Sequence, residues 1–254
     1  MAVGHSPTPR ERRSVGHSPT PRSGVPSHVP SQTSNDRVRL IASGRDADVF
    51  DLGDGRVLRR HTDGRPATKQ ADLLRYVASH GYPVPALHDA SGPDLVLEKL
   101  DGPEMQRAIR PWNVRRMARL LAELHRRLHE IPPLPGLEPA FGDPRALLHL
   151  DLHPRNVILT ADGPRVIDWG NAANGPPDAD VALLYVIGRT TAIRPRYLAP
   201  FANAFLDAFV RAAAGPQFRA VLPAVAAWRR RDRNVTAAER AAIDRLLARV
   251  TLER

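Results

Sequence analysis

The chain has 254 residues, no cysteine, and a formal net charge of +10 from 37 Lys and Arg against 27 Asp and Glu. The lack of cysteine excludes a disulfide framework, a thiol nucleophile and a thiolate metal site. No run approaches the roughly 18 consecutive apolar residues of a membrane span, and the first 30 residues lack the apolar stretch of a secretory signal, so the expectation is a cytoplasmic globular protein with no membrane partner.

Residues 1–36 are rich in Pro, Ser, Thr and Arg, and the octapeptide VGHSPTPR occurs twice, at Val3–Arg10 and Val15–Arg22. So little apolar surface cannot offset the entropy of ordering, and the segment reads as a disordered tail. The positive charge invites a nucleic-acid reading. The arginines, however, are scattered, and lysine occurs only at Lys69 and Lys99, so no nucleic-acid partner is expected.

From Arg37 the pattern changes. RVRLIAS, DADVFDLG and GRVLRRH are short β-prone runs, with Asp54-Gly55 supplying a turn between the second and third. A helical stretch from about Pro66 to His80 ends at Gly81 and leads through YPVPALHDA to the apolar strand DLVLEKL. Over residues 112–130, Val114, Met117, Leu120, Leu121, Leu124 and Leu128 fall at helical spacing and predict an amphipathic helix. His125 and His129 share a face of that helix, but the residues between them are Arg-Arg-Leu, without the Glu of a zincin motif.

The most informative segment is LLHLDLHPRNVILTADGPRVIDWGNA, Leu147–Ala172. It reads as a polar loop, a strand, a turn through Ala161-Asp162-Gly163-Pro164 and a second strand. Such a hairpin brings Asp151 and Asn156 of the loop near Asp168 at the end of the second strand. Two carboxylates and an amide are oxygen ligands of the kind that suit Mg²⁺ together with substrate phosphates. His149, Asp151 and His153 could alternatively form a metal cluster, though that reading leaves Asn156 and Asp168 unexplained.

HLDLHPRN resembles the H-x-D-x-x-x-x-N catalytic loop of the protein-kinase fold, and IDWG stands where protein kinases carry D-F-G. With HPRN and IDW, the chain resembles the aminoglycoside phosphotransferase-like, choline kinase-related family of small-molecule kinases. The resemblance covers most of residues 40–190. It implies an α+β, two-lobed protein-kinase-like fold with a small antiparallel β-rich N-lobe, residues 37–100, and a mainly helical C-lobe, residues 101–254. It also implies transfer of the γ-phosphate of ATP to a hydroxyl of a small molecule, with Asp151 as the catalytic base and Asn156 and Asp168 holding Mg²⁺. His149 resembles the loop histidine that braces the backbone. Asp180, before VALLYVI, is a helix N-cap by pattern and by resemblance a buttress of the catalytic loop.

On the nucleotide side the resemblance implies a phosphate-covering hairpin at Ser43-Gly44-Arg45-Asp46-Ala47-Asp48 and a hinge at LVLEKLDG, where adenine meets backbone groups of Glu98 and Leu100. The lysine expected on the third strand is replaced by Arg59, with Arg60 as the register-shifted candidate, and the helix glutamate expected to pair with it falls near Gln70. A catalytically impaired nucleotide- or partner-binding module is therefore the alternative reading. The acceptor site is expected among the helices from Val181 onward with the loop after Trp169. Arg229, Arg230, Arg231 and Arg233 outweigh the acids Asp207, Asp232, Glu239 and Asp244 there. A polycation needs a carboxylate-lined pocket, so a neutral or anionic hydroxyl compound is expected.

Overall fold

The computed structural model describes residues 38–44, 46–192 and 195–252; the repeated octapeptide, and Arg45 within the predicted phosphate loop, lie outside the described residues. Three strands, β1 (Arg39–Ser43), β2 (Ala47–Asp51) and β3 (Arg56–His61), form the predicted meander. The helix α1 (Thr68–Ser79) follows, and Gly81, at φ 71°, supplies the left-handed residue that stops it. The strands β4 (Leu87–Ser91) and β5 (Asp94–Glu98) complete an antiparallel sheet in the order β1-β2-β3-β5-β4. β1 is an exposed edge, whereas Leu95 of β5, an inner strand, is fully buried in the cluster that includes Leu73, Leu74 and Val77 of α1.

After a short α2 (Met105–Ala108), the amphipathic pattern forms α3 (Val114–Leu128). Its Val114, Met117, Ala118, Leu121, Leu124, His125 and Leu128 make one buried stripe at helical spacing. Next come β6 (Ala146–Leu148), the hairpin β7 (Val157–Thr160) and β8 (Gly163–Val166), and β9 (Ala173–Gly175), which pairs with β6. The helices α4 (Asp178–Thr190), α5 (Ala199–Ala213), α6 (Phe218–Arg230) and α7 (Ala237–Leu252) close the fold. α3 packs on α5, and α4 packs on both α5 and α6.

This is the α+β arrangement expected: an antiparallel N-terminal sheet and a helical C-terminal part. One buried cluster runs from α1 and β5 through α3 to Phe205 and Phe209 of α5. A second joins Ala182 and Val186 of α4 to Val225 of α6 and Ile243 of α7. Val157 and Val166 anchor the β7–β8 hairpin in the first cluster. Among the described residues no helix is long and apolar enough to cross a membrane.

Candidate active site

The turn Ala161–Asp162 joins β7 to β8, with Val157 opposite Val166 and Thr160 opposite Gly163. Ile167 N donates to Asn156 O at 3.0 Å, which extends the ladder by one residue and sets Asp168 beside the loop that precedes β7. Asp168 adopts φ 64°, and Leu150, immediately before Asp151, adopts φ 56°. Left-handed backbone in non-glycine residues persists only where the surroundings impose it, and it concentrates at functional sites.

Asp180 imposes it at Leu150. Its buried carboxylate accepts from His149 N at 2.9 Å and Leu150 N at 2.6 Å, and from His129 Nε2 at 3.0 Å. Burial alone would raise this carboxyl, but those donors and the neighbouring imidazoles hold it at about 2. The expected buttress is therefore present, with one correction: α4 begins at Asp178, so Asp180 lies inside its first turn and does not cap it. His149 is wholly buried, its Nε2 donates to Ile167 O at 3.1 Å, and burial pushes its imidazolium form down in pKa. Thus His149 braces the loop as a neutral ring, and no metal cluster forms with Asp151 and His153; among the described residues no three His, Asp or Glu side chains are grouped so as to hold a metal ion. His125 is likewise neutral, lowered to about 4 by burial, with Nδ1 donating to Leu121 O.

Asn156 Nδ2 donates to Asp151 O at 2.9 Å and to Asp151 Oδ2 at 3.2 Å. Both partners are acceptors, so the amide nitrogen must face them and the amide oxygen must face away. Burial raises the Asp151 carboxyl above the ordinary range, and nearby Asp168 raises it further, against the lowering pull of His153 and His149.

A cavity of about 560 Å³ lies between the sheet and the hairpin. Ser43, Gly44, Arg59, Glu98, Leu100, Asn156 and Asp168, all predicted for nucleotide or metal, line this one cavity; Asp151 does not. Ser43 Oγ donates to Asp48 and Gly44 N to Ala47 O, and a Cβ on Gly44 would come within 3.2 Å of that carbonyl, so the β1–β2 turn is tight. At the hinge, Glu98 N donates to Ala86 O and Lys99 N to Gly55 O. The Leu100 amide has no backbone acceptor among the described residues.

Of the two candidate strand cations, Arg59 is the one that lines the cavity. Its Nη1 donates to Gln70 Oε1 at 2.7 Å, and its Nη2 lies 3.6 Å from Asp168 Oδ1. Arg60 points elsewhere and forks onto Asp94. Burial lowers the Arg59 guanidinium and Asp168 opposes that; an arginine stays charged either way. His61, which sequence reasoning passed over, places Nε2 3.0 Å from the same Gln70 oxygen.

The Asp168 carboxylate, half exposed, and the Asn156 amide both border the cavity and offer hard oxygen donors. Such a set can hold Mg²⁺, which binds through one or two carboxylates plus substrate phosphates. The residues present therefore fit the ion.

Asp151 instead borders a small recess with Leu152, His153, Asp180 and Leu184. His153, Leu184 and Ile187 are shared with a second cavity of about 600 Å³, between the catalytic loop, α4 and α5. Neither the loop after Trp169 nor Arg229–Arg233 lines it. Arg229 is instead paired with Asp232, and Arg230 with Asp244, along their own helical surface.

The model of the phosphotransferase enzyme family, APH, matches residues 37–143 and 132–220. No curated protein matches the chain. Among solved structures, the streptomycin–ATP–APH(2'')-IIa ternary complex is 17% identical, with a TM-score of 0.55 over 75% of this chain and 82% of that one. A choline/ethanolamine kinase family protein from Mesorhizobium loti is also 17% identical, with a TM-score of 0.53 over 85% of this chain and 87% of that one. A thermostable mutant of APH(4)-Ia, in a ternary complex with AMP-PNP and hygromycin B, is 15% identical, with a TM-score of 0.56 over 85% and 90%. At such identity these likenesses speak for the fold.

Proposed function

Since the chain belongs to the phosphotransferase enzyme family, we propose that it transfers the γ-phosphate of ATP to a hydroxyl of a small molecule, with Asp151 as the catalytic base. The observation that carries this is the Asn156–Asp151 hydrogen bond. It joins a side chain of the nucleotide-sized cavity to a carboxylate that opens toward a different cavity. A donor and an acceptor could then meet at one point from two sides.

In this reading Asp151 accepts the hydroxyl proton while the acceptor oxygen forms a bond to the γ-phosphorus and the bond to the ADP oxygen breaks. Phosphoryl transfer has a loose transition state, so the work of the residues is orientation and charge placement. Asn156 orients Asp151, and Asp180 orients the backbone on which Asp151 sits. Arg59 presents guanidinium nitrogens to the α and β phosphates, Ser43 and Gly44 cover them, and Glu98 and Leu100 supply backbone groups to adenine. Asn156 and Asp168 would hold Mg²⁺, which neutralises phosphate charge when bound. Residues 37–100 then serve as the nucleotide lobe and residues 101–254 as the catalytic and acceptor lobe.

The alternative of a binding module without transfer finds no support in the comparisons, and a cation does stand at the strand position, held by Gln70. The test is Mg²⁺-dependent ATP turnover by the full chain beside Asp151→Asn and Asp168→Asn. Loss of a positioned base is expected to cost about 10²–10⁴ in rate. Equal background rates in all three proteins would overturn the proposal.

A further inference from the structure

The second cavity has a chemistry of its own. Ile109, Pro111, Leu184, Ile187, Leu198 and Phe201 provide apolar walls, and Phe201 and Leu198 remain more than a third exposed at its rim. Isolated exposed apolar residues are ordinary, but apolar residues grouped around a concave opening mark a binding surface. No Asp or Glu side chain lines the cavity among the described residues. Two acids that touch lining residues are engaged. Asp151 is reached through His153, and Glu239 accepts from Thr191 Oγ1 while also holding the Thr236 amide and hydroxyl. Asp207 is paired with Arg189.

The charges that do line the cavity are cationic. Among the described residues Arg155 is exposed and has no carboxylate partner, and the Arg110 guanidinium donates only to the carbonyls of Arg107 and Ile109. A polycation entering there would meet two guanidinium groups and no anion. An anionic group would find donors able to fork onto it.

We propose that this cavity is the acceptor site and that it takes an alcohol with an apolar body and a single anionic group, rejecting polycations. The inference rests on the phosphotransferase reading of Asp151, whose recess shares His153, Leu184 and Ile187 with the cavity. It assigns Arg155 and Arg110 to the anion and Phe201 and Ile109 to the apolar body.

A matched series tests it: 8-hydroxyoctanoate, its methyl ester and 8-amino-1-octanol share one body and carry an anion, no charge and a cation. Each is titrated into the full chain with ADP and Mg²⁺ by calorimetry, and phosphorylation with ATP is followed in parallel. The anion is expected to bind tightest, by about 1.5-fold to fivefold over the ester, the range for an exposed charge pair, and the cation weakest. Arg155→Gln should erase the preference for the anion while leaving ester binding intact. A merely structural effect would weaken all three equally, which would overturn the assignment of Arg155. Phe201→Asp should raise the relative affinity of the cation. Preference for the cation by the unaltered protein, or binding of none of the three, overturns the substrate class. The phosphotransferase reading stands or falls separately, on whether ATP turnover depends on Asp151.

Discussion

Replacing Asp180 by Ala tests the framework beneath the site. Asp180 is 3% exposed and accepts from two backbone amides and one imidazole. Without the carboxylate, the His149 and Leu150 amides are left unpartnered in the interior, at about 1–3 kcal/mol each. The total of roughly 3–5 kcal/mol is in the range for breaking a buried charged network. For a chain of this size each kcal/mol moves Tm by about 2–4 °C, so the variant should melt roughly 6–20 °C lower. The acid limb supplies an independent check. The carboxyl is held at about 2 against an ordinary 3.8, which corresponds to about 2 kcal/mol of linked stability. Because the folded value is the lower one, that stability is fully present above about pH 4 and is lost as pH falls toward 2. Denaturant melts of both proteins between pH 2 and 6 measure it: their difference should narrow as the pH drops. A melting temperature within a degree or two of the parent, or a difference that stays flat with pH, would refute the reasoning. Leu150 would also be freed from its left-handed turn, so turnover should fall even below the melting range.

Three further outcomes follow from the geometry. His153 lies 3.4 Å from Asp151 and lowers a carboxyl that burial has raised; His153→Ala should therefore move the acid limb of kcat/KM for ATP-dependent transfer to higher pH, and a limb that stays put or moves down counts against Asp151 as the base. Gly102, just past the hinge, leaves no room for a side chain, since a Cβ would lie 2.1 Å from Leu159 O; Gly102→Ala should cost about 1–3 kcal/mol, read as a lower urea midpoint at unchanged slope. Arg59→Lys should raise KM for ATP more in the parent than in a Gln70→Glu background, because a neutral amide holds an ammonium less firmly than a carboxylate does; additive effects in that double-mutant cycle would remove the proposed coupling.

The site was legible where local pattern and local chemistry coincide. The turn through Ala161–Gly163 between two apolar runs announced the hairpin, and the hairpin alone dictates that Asn156 and Asp168 meet. The heptad-like stripe of α3 was equally plain. By contrast, β4 is an edge strand reading LHDAS, in which His88 and Asp89 are exposed, so it lacks the alternation that marks a half-buried strand. The three-residue strands β6 and β9 exist through their mutual pairing, far apart in sequence, and no window of sequence contains both. Asp180 suggested an N-cap because an apolar run follows it. The helix begins at Asp178, whose carboxylate is taken by the amides of Gly215 and Gln217 in the α5–α6 loop. For the arginine run at 229–233, composition reports charge and says nothing of partners: Asp232 and Asp244 engage Arg229 and Arg230 along the helical surface.

The departure from the family pattern on β3 and α1 is coherent once both positions are considered together. A lysine and a glutamate form a neutral pair in which a single ammonium is shared between a carboxylate and the phosphates. Here the partner is a neutral amide, and its oxygen accepts one guanidinium nitrogen while another faces Asp168. Five donors in a rigid fork allow this division; three donors on one ammonium nitrogen do not. The exchange of glutamate for glutamine also leaves the pair with one more positive charge than the pattern it replaces. Under the proposed phosphotransferase reading that charge favours a triphosphate in the cleft, and a second guanidinium nitrogen lies 3.6 Å from Asp168 across the cavity. Each substitution alone would weaken the site: an arginine beside a glutamate would be drawn into a bidentate pair and away from the cleft, and a lysine beside a glutamine would lose its anchor. Together they keep a positioned cation at the place where the fold requires one.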